Sequence, residues 1–360
     1  MNPLIFDGHN DTVLKFFEER IAQKSPRSFF ERSDVGHIDF PRVQEGGLGG
    51  GFFAIFAPNK PKDNKVEFAS EKSEDEHGRL TYKTPLPPPI KRPYAQKVTL
   101  AMMAQLFTWE EEGNGRIQIV RTAGQLEQCL QNGIFAIVIH IEGAEAIDKD
   151  FDTLHVFYQA GLRSLGPVWS RPNKFGYGVP FDFPATPDIG DGLTKAGKRL
   201  VKECNDLGIL VDLSHLNEKG FWDVAHISDA PLVCTHSGVH ACCASPRNLL
   251  DSQLDAIKET NGIVGVNYYK GFLREDGHPT AETSLTEIVR HAAYIADRIG
   301  IDHVALGSDF DGAKVPEDLK DVTGLPKLLT AFREQGFNAT EIAQIAHGNW
   351  LRVLRQTWKQ

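Results

Sequence analysis

Short apolar runs, each followed by a turn and a stretch of helical periodicity, recur eight times along these 360 residues, at 5–7, 52–57, 134–139, 161–165, 209–213, 232–234, 263–268 and 304–307. Strands alternating with helices imply parallel pairing with crossover connections, which only an α/β architecture provides. Two such architectures compete, an open doubly wound sheet and a closed (β/α)8 TIM barrel. The position of the polar residues separates them. Asp11, Glu142, His215, His236 and Asp309 all fall at the C-terminal ends of runs one, three, five, six and eight. In an open sheet those ends lie far apart, whereas in a barrel they meet at the face that carries active sites. The expectation is a TIM barrel, with residues 1–360 forming a single domain.

The first run shows how ligands can be offered. In Asp7-Gly8-His9-Asn10-Asp11 the histidine and the second aspartate are two residues apart, so an extended chain projects both from one face. Together the five run ends supply three histidines and three carboxylates, a donor set suited to divalent metal. Imidazole favours zinc and other late first-row ions, and a carboxylate can bridge two of them. Other chemistries lack their motifs. There is no HExxH, no GxSxG, no CxxC, and the glycines of 46–51 match no phosphate-binding loop; a close approach to a neighbouring strand explains them instead. Water held between two metals ionises near pH 7, to order of magnitude. The same ions polarise a carbonyl, and Asp309, left over once ligands are assigned, suits proton transfer to a leaving amine.

Composition narrows the partners. A formal charge of -9 without a dense basic block disfavours nucleic acid and anionic membranes, and no apolar run approaches a membrane span. The expected partner is a small-molecule substrate, and a homodimer is compatible with the sequence. Five cysteines without a paired spacing fit free thiols in a reducing compartment, and a cleavable leader is not expected, since cleavage would remove His9. A cytoplasmic location is expected.

The motifs then become specific. Asp7 to Asp11, Glu142-Gly143, Asp212-Leu213-Ser214-His215, Thr235-His236-Ser237 running on to Ser245-Pro246-Arg247-Asn248, and Gly307-Ser308-Asp309-Phe310-Asp311-Gly312 occur in the order that resembles the renal (membrane) dipeptidase family of the amidohydrolase superfamily. The resemblance covers nearly the whole chain and is weakest over 58–95. It implies a TIM barrel with two zinc ions that hydrolyses dipeptides and tolerates D-residues at the C-terminal position. It also implies roles: His9 and Asp11 on one zinc, His215 and His236 on the other, Glu142 bridging, and Asp309 as proton shuttle. Arg247 would grip the substrate carboxylate, a task that a fork-shaped guanidinium suits. Tyr269, just past the seventh run, is a further candidate for substrate contact. Related amidohydrolase activities, on N-acyl amino acids or cyclic amides, and a metal-containing binding protein without catalysis are the alternatives.

One position departs from the family. Mammalian members carry a histidine shortly after strand four that polarises the scissile carbonyl, and here Trp169 stands at or beside that place. An indole N–H donates a hydrogen bond but carries no charge. Arg171 is a candidate replacement. His140 shares a strand face with Glu142 and is expected beneath the site, and His303 at the opposite end. Residues 58–95, charged and then proline-rich, read as a long loop that either extends into solvent or forms a partial lid. Helices are expected at 12–24, 94–111, 195–207, 285–299, 324–335 and 340–357, with Leu100, Met103, Ala104 and Phe107 forming the buried side of the second.

Overall fold

The computed structural model describes residues 2–22, 27–59, 71–76 and 78–359. Its strands in chain order are β1 (Ile5–Asn10), β2 (Leu48–Phe56), β3 (Glu71–Glu74), β4 (Leu80–Lys83), β5 (Ile117–Ile119), β6 (Phe135–Glu142), β7 (Leu162–Gly166), β8 (Leu210–Val211), β9 (Val233–Ser237), β10 (Ile263–Val266) and β11 (Val304–Leu306). The fold is mixed α/β. One curled parallel sheet has the order β1-β2-β6-β7-β8, with β5 paired off β6, and a second parallel sheet has the order β11-β10-β9. Single bridges join the two at both seams, Asp212 to Val233 and Asn10 to Phe310. β3 and β4 form a separate antiparallel hairpin.

Side-chain alternation explains how this sheet serves a site. In β6, Phe135, Ile137, Ile139 and Ile141 pack outward under the helices, while Ala136 and Val138 face a second, inner cluster. His140 and Glu142 continue the inner row toward the C-terminal end. That inner cluster contains Phe6, Phe52, Leu210, Val233, Ile263 and Ala305, and is sealed by Trp350 from the helix Asn349–Thr357. The Trp350 ring lies 5.0 Å from Phe52 and 6.3 Å from Phe6, and its indole N–H donates to the Leu306 carbonyl at 3.3 Å. The N-terminal end of the sheet is thus filled with apolar side chains, and the C-terminal end is left for polar ones.

Several sequence expectations change here. The glycines of 46–51 lead into β2 and partly form it, because strands approach too closely for side chains. A Cβ on Gly50 would meet the Ala136 carbonyl at 2.3 Å. The helix Arg92–Gly113 buries Ala95, Val98, Met102, Met103, Leu106 and Trp109, so only Met103 of the expected face is buried. Leu100 is 56% exposed and Ala104 faces solvent; the true stripe lies roughly one residue round the helix. The last helix is divided into Ala339–Ala343 and Asn349–Thr357 by a π-turn at Gln344–Gly348. Within 58–95, the described residues include the hairpin β3-β4, docked through the pair Tyr82 and Phe183, and the start of the helix Arg92–Gly113, while 60–70 and 77 lie outside the described residues. Among the described residues no helix is long and apolar enough to cross a membrane.

Candidate active site

Five sequence-predicted ligands meet at one place. The Nε2 atoms of His215, His236 and His9 lie 3.0, 3.4 and 3.8 Å from the same oxygen, Oε1 of Glu142. Asp11 Oδ2 is 3.4 Å from His9 Nε2. Two overlapping ligand groups result, His9 with Glu142 and His236, and His9 with Asp11 and Asp309, each with its donor atoms within 4.8 Å of one another. All five side chains are buried, and Asp309 is half-buried.

The surroundings aim these atoms. Thr235 donates its hydroxyl to Asp212 Oδ2 at 2.7 Å, so its oxygen must accept from His236 Nδ1, 2.9 Å away. The lone pair of His236 is therefore on Nε2, facing Glu142. His215 Nδ1 is likewise engaged, by Ser170 Oγ at 2.7 Å. Both nitrogens of His9 are buried without a hydrogen-bond partner among the described residues. Acceptor atoms crowded this closely repel one another unless a cation lies among them, and histidines oriented through their far nitrogen are the usual metal-site arrangement. The residues present fit divalent metal.

The electrostatics agree. Burial pushes Glu142 well above the usual carboxylate range and raises Asp309, and burial holds His215 and His236 well below the usual imidazole value. Burial alone would lower His9 too, but the carboxylates of Glu142, Asp11 and Asp309 outweigh it and raise His9 to about 10. The cluster carries surplus negative charge that calls for a cation. His215 and Asp309 also sit at φ 68° and 60°, a strained backbone region for side-chain-bearing residues that recurs at functional sites.

A cavity of about 770 Å³ opens onto this cluster, lined by Asp11, Glu142, His215 and Asp309. Asp309 is held by Asn267, whose amide donates to Oδ2 at 2.9 Å. Trp169 and Tyr269 are on the cavity wall as expected. Trp169 packs between Phe56 and Phe181, with ring centroids at 4.7 and 5.7 Å. Arg247 is buried close by, donating to the His236 carbonyl at 2.9 Å with Nε unpartnered, but does not line the main cavity. Arg171 cannot replace the missing histidine. Its guanidinium is turned away, donating to Glu145, Asn59 and the Ala57 carbonyl. His140 lies beneath His9 at a ring distance of 5.5 Å, and His303 donates to or accepts nothing from the site, its Nδ1 meeting the Gly262 carbonyl. Sequence reasoning assigned no role to Asn267 and Ser170, whose partners are distant in sequence, nor to Thr235, which stands in a quoted motif but acts through His236 and Asp212. It also passed over His37, which lines the cavity.

A family model for membrane dipeptidases (peptidase family M19) matches residues 2–360. The chain belongs to the membrane dipeptidase family. A solved Rhodobacter sphaeroides metallo peptidase, liganded with a phosphinate mimic of the dipeptide L-Ala-D-Ala, is 47% identical and superposes with a TM-score of 0.93, covering 99% of this chain and 100% of that one. A Klebsiella pneumoniae protein known from the 5′ region of pqqA is 47% identical over 261 residues, 72% of this chain and 95% of its own length. The dipeptidase tcpJ of Claviceps purpurea is 25% identical over 97% of this chain and 76% of its own. All residues of the donor set lie within the stretch that the membrane dipeptidase family model matches.

Proposed function

We propose that the chain is a binuclear zinc-dependent dipeptidase that hydrolyses small dipeptides and tolerates a D-residue at the C-terminal position. The observation that carries this reading is the convergence of three histidine nitrogens and the acids of Asp11 and Asp309 around Glu142. The likeness to a peptidase liganded with an L-Ala-D-Ala mimic supports the substrate class. The parallel strands form a (β/α)8 barrel on this reading, supported by the two single bridges that link the sheets at both seams. The chain acts as one domain, with Tyr82 and Thr84 of the 58–95 excursion forming part of the cavity wall as a partial lid.

His9 and Asp11 would hold one ion, His215 and His236 the other, and Glu142 both. Such ions supply Lewis acidity toward the amide carbonyl and an acidified water. The remaining work belongs to the chain's own residues. Asp309, raised by burial and oriented by Asn267, takes a proton at its carboxylate and passes it to the leaving amine. Arg247, buried beside His236 with no partner for Nε among the described residues, would take the substrate carboxylate from behind the cavity wall. The Trp169, Phe56 and Phe181 rings and Tyr269 exclude water and bound the apolar part of the substrate.

Metal analysis and turnover test the reading together. About two metals per chain and hydrolysis of L-Ala-D-Ala that stops on chelation are expected, with N-acyl amino acids and lactams poorer substrates. Full-rate dipeptide hydrolysis by metal-free protein would refute it.

A further inference from the structure

The cavity has two unlike linings. Around Trp169 it is aromatic, with Phe272 stacked on Phe181 at 6.1 Å and Tyr269 edge-on to Phe272 at 4.7 Å. Beside Asp311 it is cationic. There Lys15, from the helix Thr12–Ile21, His37, from the following loop, and Lys314, beyond β11, share one wall, and Lys72 of the hairpin joins them.

His37 is fixed at every polar atom but one. Its backbone N–H donates to Asp311 Oδ1 at 2.7 Å and its carbonyl accepts from Val322 at 3.2 Å. The Asp311 backbone N–H donates to Nδ1 at 2.8 Å, which puts the ring proton on Nε2. That donor has no hydrogen-bond partner among the described residues, and the ring is on the cavity wall. The loop that presents it is built for the purpose. Buried Arg42 donates to the carbonyls of Gly36 and Val35 and to Asp39 and Asp321, and Gly36 adopts φ 71°, where a Cβ would come within 2.7 Å of Asp311 Oδ1.

Charge is unbalanced at this wall. Of the cavity's acids, Asp11, Glu142 and Asp309 belong to the metal cluster, and Asp311, whose oxygens already accept from Thr12 Oγ1 and His37, is the one beside the lysines. Asp321, outside the cavity lining, is engaged by Arg42. Lys15 has one exposed partner, Glu18, at 3.4 Å, whereas Lys314 makes no ion pair among the described residues. A cationic wall at the mouth of a chain with net charge -9 attracts anions selectively.

We propose that Lys314, Lys15 and the His37 Nε2–H form a specificity pocket for a carboxylate carried on one side chain of the substrate, so that the preferred dipeptides contain an acidic residue. The proposal rests on the dipeptidase reading. Isosteric pairs isolate the charge: the zinc-loaded protein is assayed on L-Ala-D-Glu against L-Ala-D-Gln, and on L-Glu-D-Ala against L-Gln-D-Ala. In one pair the acidic member is expected to have a kcat/KM about tenfold higher, as one charge-assisted hydrogen bond provides. His37→Ala and Lys314→Met should each lower that acidic-to-amide ratio several-fold. Lys314→Glu, on an exposed side chain that does not disturb folding, should turn the preference toward a dipeptide bearing lysine at that position. Ratios within twofold in both wild-type pairs, or a ratio unmoved by all three substitutions, overturn the pocket and leave the dipeptidase reading standing. Failure on all four while L-Ala-D-Ala is still hydrolysed removes the pocket alone, and failure on L-Ala-D-Ala as well removes both.

Discussion

A histidine is aimed at a cation when its other nitrogen is held, and Thr235 does the holding for His236. Its hydroxyl passes the orientation of buried Asp212 to the imidazole. Thr235→Val keeps the shape and removes that link, so metal affinity should fall about 10–100-fold, measured by chelator competition. Asp309→Asn separates proton transfer from metal retention. The kcat should drop on the order of 10²–10⁴-fold while metal content stays at the wild-type value, measured by steady-state kinetics and elemental analysis. The candidate ligands were legible in the sequence because each lies at the end of an apolar run, and a run's end is a local property. Ser170 and Asn267 were not, since their partners, His215 and Asp309, are 45 and 42 residues away.

Among the elements, the C-terminal helix has a task out of proportion to its nine residues. Trp350 enters the inner core from below and touches Phe6 and Phe52 on the first two strands. Trp350→Ala should cost about 3–5 kcal/mol, read from the midpoint of denaturant unfolding, because no neighbouring side chain can fill the void. The eight strands announced themselves through buried runs, and their helices partly through periodicity. The buried stripe of Arg92–Gly113 was misread because Leu100 and Phe107 mimic an apolar face, whereas Ala95, Val98, Met102, Leu106 and Trp109 carry the actual contact. The hairpin β3-β4 escaped notice for another reason. Its strands are polar and four residues long, and the pairing of Tyr82 with Phe183 is a long-range event.

On the scale of the whole molecule, metal binding and folding are linked. Ions that bind only the assembled cluster stabilise it by about 2.7 kcal/mol at a hundredfold excess over Kd, so chelation should lower Tm and added zinc restore it, by thermal unfolding. Acid acts through buried imidazoles such as His291. Its Nδ1 accepts from the Val239 N–H and its Nε2 meets the Leu273 carbonyl, leaving no site for a second proton. Burial lowers it to about 4, against an ordinary value of 6.5. The unfolded chain therefore binds a proton that the native state refuses, and stability falls as pH drops from 6.5 toward 4. The loss approaches about 3 kcal/mol for this group. In urea titrations at successive pH values, His291→Gln should flatten part of that decline.

By itself the sequence determined which residues can serve: short buried runs, candidate ligands at the ends of four of them, and an acid in reserve at a fifth. Those are consequences of local chemistry, since strand period and donor type need no partner. What the tertiary structure decided is which atoms meet. It brought three imidazoles onto one oxygen of Glu142, withdrew Arg171 into an ion pair with Glu145, and put His37 on the cavity wall. Each of these depends on contacts between segments more than twenty residues apart, and only packing selects among the many arrangements that local preference allows.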